Sequence, residues 1–244
     1  MLGRLRQQKP KPLRAQLASR VTRALRENDF DAPIVRQVVA QFHRIYYRSG
    51  PQTWKNTYWR GVRVLKCPLD LWIYQEILNE VRPDVIVEAG TSHGGSAYYL
   101  ASICDLLDHG AVVTIDITAR TDRPQHPRIT YLTGSSTDPA LAAQVDERIS
   151  ADTTVMVILD SNHSREHVLQ ELELWHSRVT VGSYVVVEDT NIHGHPLTAP
   201  TSHGPGPWEA VDEWLPNHPG FRPDESREKF LLTFNPRGFL RRVE

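Results

Sequence analysis

The sequence predicts an α/β protein with a mostly parallel sheet, helices on both of its faces and a helical extension at the N-terminus. Two patterns predict it. From Asp84 onward, short β-branched runs alternate with helix-length segments, as expected of strands buried on both sides. Ahead of Asp84, apolar residues recur at helical spacing instead. A chain of 244 residues accommodates one such domain with extra helices and leaves little room for two. The expected division is a basic tail and helical extension over 1–82, followed by the main domain over 83–244.

In order along the chain, the first thirty residues interleave Arg4, Arg6, Lys9, Arg14, Arg20 and Arg23 with Leu5, Leu13, Leu17 and Val21. Such a segment reads either as an amphipathic arm for a membrane or polyanion or as a solvated tail leading into a packed helix. A helix fits 33–47. An aromatic, turn-rich stretch follows over 51–67, with Trp54, Tyr58 and Trp59. The next helix runs from Pro68 to Val81, with proline at its start, where the missing N–H does no harm. Strands are expected at 84–89, 111–117, 129–132, 154–160, 183–188 and 229–234. Helices are expected at 95–107, 138–149, 165–176 and 207–215. The 190–207 loop is long and rich in Gly, Pro and His, which suggests a lid or binding loop.

Composition narrows the partners. A formal charge of −1 gives no basic excess for nucleic acid. No apolar run nears the ~20 residues of a membrane span, and no signal-peptide region is evident. Two cysteines, Cys67 and Cys104, are too few for a disulfide framework and read as reduced side chains of a cytoplasmic protein.

The first strand runs into Glu88-Ala89-Gly90-Thr91-Ser92-His93-Gly94-Gly95 and then directly into a helix that carries Ser96 in its first turn. Glycines here let the backbone turn tightly and let a ligand sit against the main chain at a helix N-terminus. The spacing E-x-G-x-x-x-G-G differs from the G-x-G-x-x-G of a dinucleotide site. An adenosyl sulfonium such as S-adenosylmethionine carries no phosphate and tolerates Glu88 nearby. Asp116 ends the second strand, where it can accept hydrogen bonds from ribose hydroxyls. Ser135 and Ser136 follow the third strand and can line an adenine pocket. The expected cofactor residues are thus Glu88, Gly90, Thr91, Ser96, Asp116, Ser135, Ser136 and Asp160.

The fourth strand ends at Asp160 and the fifth at Glu188-Asp189. If the strands are neighbours, ~4.8 Å apart, three carboxylates converge. They repel unless they share a cation, and all-oxygen donors select a hard ion, Mg²⁺ first, with Mn²⁺ or Ca²⁺ as options. Glu188 and Asp189 point to opposite faces of a straight strand, so the scheme requires a bend there. His163, three residues beyond Asp160, has the pKa range and reach of a general base; its other reading is a histidine that orients the loop. His193, His195 and His203 invite a zinc site, but no H-E-x-x-H run supports one. His193, His195 and Trp208 read instead as lid or acceptor contacts.

The blocks VEAGTSHGGS, VVTIDI, HPRITYLTGSS, LDSNHSREHVLQEL, VGSYVVVEDTNIHGHP and KFLLTFNPRGFLRR together resemble the methyltransferases described as cephalosporin hydroxylases or rhamnosyl O-methyltransferases, over about residues 40–244. The resemblance implies a Rossmann-like class I methyltransferase fold, S-adenosylmethionine and Mg²⁺ as cofactors, a homo-oligomer (a dimer on base rates) and O-methylation. It also implies Asp160, Glu188 and Asp189 as metal ligands and His163 as base. The expected acceptor is a small molecule or oligosaccharide, with a mannoside or rhamnoside hydroxyl favoured on likeness alone. The alternatives are an antibiotic or other secondary metabolite as acceptor, a nicotinamide-dependent oxidoreductase, and a binding module whose acids hold a structural ion. An iron oxygenase would need an HxD or HxE pair, and the sequence has neither.

Overall fold

The computed structural model describes residues 12–27, 32–197 and 204–244. They form two compact units divided after Ile45. The smaller contains α1 (Leu13–Arg26) and most of α2 (Pro33–Arg48). The larger unit begins at Tyr46 and so takes in the aromatic stretch and the following helix, which the sequence reading grouped with the extension.

The larger unit opens with a small hairpin, β1 (Thr57–Trp59) and β2 (Val62–Val64). Its turn residues, Arg60 and Gly61, both have positive φ, as a primed two-residue turn requires. After α3 (Pro68–Val81), the chain alternates β3 (Val85–Ala89), α4 (Gly95–Leu107), β4 (Ala111–Asp116), β5 (Ile129–Thr133), α5 (Pro139–Asp146), β6 (Val155–Leu159), α6 (Arg165–Trp175) and β7 (Tyr184–Val187). It closes with α7 (Pro207–Trp214), β8 (Phe221–Pro223) and β9 (Phe239–Arg242). The main sheet has the order β5-β4-β3-β6-β7-β9-β8. Strands β3 to β7 are parallel, and β9 and β8 extend the edge antiparallel.

Side chains alternate between two cores. Val85, Val87, Val157, Leu159, Val185 and Val187 face the side of Leu172, Trp175, Val211 and Trp214. Ile86, Met156, Ile158, Tyr184 and Val186 face the side of Ile73, Tyr74, Ala97 and Leu100. Burial on both faces accounts for the continuous apolar runs of the strands. The chain moves outward from β3 to β5, then crosses back to β6 on β3's other side. The ends of β3 and β6 therefore flank a topological switch point, where open α/β sheets bind ligands.

One expected strand is absent. Residues 229–234 form turns and bends, and β8 and β9 supply the sheet edge instead. Tertiary packing overrides the β-rich composition. Leu232 and Phe234 join Cys67 in a third core packed by Tyr46, Tyr47, Trp54 and Leu69. The Phe234 N–H donates to Asp70 Oδ2 at 2.8 Å, and a φ of +66 at Leu231 breaks the extended run. Among the described residues, no helix is long and apolar enough to cross a membrane.

Candidate active site

The site follows from strand register. Leu159 lies opposite Val187, so the next residues, Asp160 and Glu188, emerge side by side from the carboxyl ends of β6 and β7. Alternation aims both toward the face shared by Ile158, Val186 and Tyr74. Asp189 would turn away in an extended chain, but its φ of +55 supplies the required bend. Its carboxylate returns to the same side: Asp189 Oδ2 lies 3.5 Å from His163 Nδ1, and His163 Nε2 lies 3.3 Å from Asp160 Oδ1. One donor atom from each of Asp160, His163 and Asp189 lies within 4.8 Å of the others, close enough to share a cation.

Glu188 is committed differently. Its Oε1 accepts from Lys66 Nζ at 2.6 Å and from the Tyr74 hydroxyl, and Lys66 also donates to Asp160 Oδ2 at 2.7 Å. Lys66 stands just ahead of α3 and is buried. Asp160 thus meets Glu188 through the shared ammonium and Asp189 through His163, and the lysine already neutralises part of the cluster. Nothing in the local sequence marks this lysine, since it reaches the site only through packing of the segment before α3.

Burial opposes the Lys66 charge, yet Asp160 and Glu188 outweigh it and hold the ammonium above the ordinary lysine range. Burial likewise raises Asp160, but Lys66 and His163 bring its carboxyl below the usual value. For Asp189 burial prevails, helped by Asp160 and Glu188 against His163, and its carboxyl rises to about 6. Burial also works against a charged His163, but Asp189 and Asp160 carry it up to about 9. Without a metal the imidazole is therefore protonated at neutral pH and cannot accept a proton.

The acids open into a cleft of about 690 Å³, lined by Gly90 and Ser92 after β3, Asp116 to Thr118 after β4, Gly134 and Ser136 after β5, and Asp160 to His163 after β6. Gly90 is required on two counts. Its φ is +98, and a Cβ there would lie 1.9 Å from the Asp160 carbonyl oxygen. Asp116 is fixed at the far end: its Oδ2 accepts from Ser92 N–H and its Oδ1 from Thr118 N–H, both at 2.8 Å. Buried Arg123 pairs with it at 3.0 Å. A carboxylate so held keeps lone pairs for vicinal hydroxyls.

Of the expected cofactor residues, Gly90, Asp116, Ser136 and Asp160 line this cleft, and Thr91 and Ser96 line a small adjoining pocket with Lys66. Glu88 and Ser135 line neither. Glu88 is fully buried beneath the glycine loop, its Oε2 accepting from Thr114 Oγ1 at 2.6 Å. Ser135 bonds Thr137 at 2.8 Å.

The lid histidines lie outside the cleft lining. His195 stacks on Trp208 at 4.1 Å and pairs with Glu209 at 3.1 Å, and His193 packs against Gly206. His203 lies outside the described residues.

His167 and Asn235 sit at the site without a motif that singles them out in the sequence, whereas Trp54 comes from the aromatic stretch over 51–67. His167 Nε2 is 3.0 Å from Ser161 Oγ and 3.2 Å from Ser136 Oγ, and Ser161 donates to buried Glu171. Asn235, also buried, accepts through Oδ1 from Asp189 N–H at 3.0 Å and so braces the bend. Trp54 forms part of the cleft wall, stacked on Tyr47 at 5.1 Å.

A parallel sheet of this order, with its cleft at the switch point and an acid closing the second parallel strand, is the architecture of class I methyltransferases. Residues 51–243 match the Rhamnosyl O-methyltransferase/CmcI family, and the chain belongs to that family of O-methyltransferases. It is 38% identical over 211 residues to the rhamnosyl O-methyltransferase of Mycobacterium bovis (strain BCG / Pasteur 1173P2), covering 83% of this chain and 84% of that one. The Mycobacterium leprae (strain TN) protein of the same name is 37% identical over 210 residues, covering 83% and 90%. Among solved structures, CmcI in its apo form superposes with a TM-score of 0.60 at 24% identity, covering 78% of this chain and 77% of that one. CmcI with Mg and SAM gives 0.59 at 22%, covering 78% of each.

Proposed function

We propose that the protein transfers a methyl group from S-adenosylmethionine to a hydroxyl of a sugar, a rhamnoside or mannoside of an oligosaccharide, polysaccharide or glycolipid, with Mg²⁺ as the bound metal. The observation that carries the reading is the convergence of Asp160, His163 and Asp189 at the mouth of a cleft whose other end is closed by Asp116. Support for a sugar acceptor comes from the curated relatives, named rhamnosyl O-methyltransferases. Support for the cofactors comes from CmcI, solved with Mg and SAM.

The donor chemistry fits a hard cation. Two carboxylates, Asp160 and Asp189, are crowded enough that burial and mutual repulsion raise one of them, and water can complete an oxygen shell. Glu188 fits less simply, because Lys66 and Tyr74 hold its Oε1; its part is to keep the ammonium in place or to add its other oxygen. When bound, the metal would orient the acceptor oxygen and lower its pKa.

The chain's own groups do the rest. Gly90 lets the cofactor lie against the backbone, Asp116 accepts from the ribose hydroxyls, and Ser136 meets the adenine side. His163 is the base, once charge on Asp160 and Asp189 is offset and its own proton leaves. The acceptor oxygen then attacks the methyl carbon as the carbon–sulfur bond breaks. The hydroxyl proton goes to His163, and S-adenosylhomocysteine departs. In-line alignment supplies much of the rate.

The test is calorimetric titration of EDTA-stripped protein with S-adenosylhomocysteine, repeated with Mg²⁺ and a panel of short rhamnosides and mannosides. Cofactor binding, with acceptor binding only in the presence of Mg²⁺, is the expected result. Absence of cofactor binding under every condition would overturn the reading.

A further inference from the structure

At the end of α6 remote from the cleft, three donor side chains meet. The 11-residue helix is roughly 16 Å long, and its N-terminus is the end beside Asp160. Glu173 and His176 lie at its C-terminal end. His218 follows the short turn Leu215–Asn217 that continues α7. One ligand atom from each lies within 4.8 Å of the others. His218 Nε2 and Glu173 Oε1 are 3.6 Å apart, and the two imidazole centroids are 4.8 Å apart.

Both histidines are oriented before any ion arrives. His176 Nδ1 lies 2.9 Å from the Leu172 carbonyl oxygen, and His218 Nδ1 lies 2.9 Å from that of Trp214. A carbonyl only accepts, so each Nδ1 carries a proton and donates it. In the neutral rings the acceptor lone pair is therefore on Nε2. An imidazole whose second nitrogen donates to the backbone is the usual arrangement behind a metal-bound histidine. Trp214 completes the mount, with His218 stacked on it at 3.8 Å and His176 edge-on at 5.6 Å.

Two donors about 2.1 Å from one tetrahedral ion are roughly 3.4 Å apart. The Glu173–His218 pair is already near that value, and no pair needs to close by more than roughly 1.4 Å. Glu173 is 59% exposed and can move. Two imidazole nitrogens and one carboxylate suit a borderline transition metal rather than Mg²⁺.

We propose that Glu173, His176 and His218 form a Zn²⁺ site, with water as the fourth ligand, that ties the end of α6 to the end of α7. The site is separate from the cleft and independent of the function proposed for it.

The experiment uses the full chain, stripped of metal and held in excess Mg²⁺, titrated with Zn²⁺ by calorimetry and followed by thermal unfolding. One bound equivalent is expected, with a rise in Tm. Both should be lost in His176→Gln/His218→Gln, and the affinity should be lowered in Glu173→Gln, a surface change that keeps the histidine mounts. An equivalent that persists in the double variant but disappears in His163→Gln would place the ion in the cleft and overturn the proposal. Failure of the wild type to bind Zn²⁺ would overturn it equally.

Discussion

The ammonium of Lys66 lies 2.6 Å from the Glu188 carboxylate, and both side chains are nearly inaccessible to water. A buried ion pair adds little when compared with a well-packed apolar pair, but removing one partner strands the other. Here the stranded group would not be alone, because Asp160 leans on the same ammonium at 2.7 Å.

Lys66→Met should therefore cost about 3–5 kcal/mol of stability in metal-free protein. The loss should be partly recovered by Mg²⁺, since the Tyr74 hydroxyl on Glu188 and His163 beside Asp160 replace the ammonium only in part and an external cation can supply the missing charge. Denaturant melts with and without Mg²⁺ decide it. A larger Mg²⁺ shift in the variant than in the wild type is expected; equal shifts would mean that Lys66 and the metal do not act on the same charges.

Gly90→Ala tests how the loop after β3, which lines the cleft, is seated. A left-handed φ costs an alanine on the order of 1 kcal/mol. The greater cost is the contact with the Asp160 carbonyl, 1.9 Å from the added Cβ, since backbone on both sides leaves no flexible end to yield. The loop or the end of β6 must shift, and S-adenosylhomocysteine affinity should fall at least about tenfold, which corresponds to about 1.4 kcal/mol. Calorimetry on the folded variant reads this out, and wild-type affinity would show that the loop moves without consequence.

The strand–helix alternation of a parallel sheet, the glycine loop after β3 and the acids at the ends of β6 and β7 were legible because each rests on local pattern: period, turn residues and position at a strand's carboxyl end. Even the required bend at Asp189 could be anticipated from alternation alone. Lys66, Arg123, His167 and Asn235 could not. None of the four is singled out by its local pattern, and they reach the site through packing, with contacts as distant in the chain as Lys66 with Glu188. The segment 229–234 fails in the opposite sense. Its composition says strand, but Phe234 has an aromatic core to join and a backbone partner in Asp70. Glu88 shows the same limit in miniature. Its place in the glycine motif suggested a ligand contact, while the parity of β3 turns it under the sheet's α4 side.

That burial gives Glu88 a pH signature. Desolvation, opposed chiefly by Lys66, raises its carboxyl from 4.5 to about 7. An acid raised on folding keeps its proton longer in the native state, so the unfolded chain binds fewer protons between pH 4.5 and 7. Its contribution is thus fully present below pH 4.5 and is lost as pH rises through 7, on the order of 3 kcal/mol in all. Glu88→Gln cannot ionise and should remove this component. Urea melts across pH 4.5–8 should show the variant gaining stability relative to wild type as pH rises. A constant difference would mean that Glu88 titrates normally in the fold.

Asn235 offers the sharpest separation of support from chemistry. Its side chain is fully buried, is not part of the cleft lining, and accepts from the N–H of Asp189 at 3.0 Å. That residue holds the positive φ on which the convergence of Asp160, His163 and Asp189 depends. Asn235→Ala leaves the Asp189 N–H unsatisfied, a loss of about 1–3 kcal/mol. The bend also loses a restraint, so the Asp189 carboxylate spends less time facing His163. Stability alone would fall for any buried asparagine, and the telling quantity is Mg²⁺ affinity measured below the melting temperature. It should weaken several-fold, while S-adenosylhomocysteine affinity, which the proposed function assigns to Gly90 and Asp116, changes little. Equal loss of both would point to general loosening of the sheet edge, and unchanged Mg²⁺ affinity would show that the bend holds without Asn235.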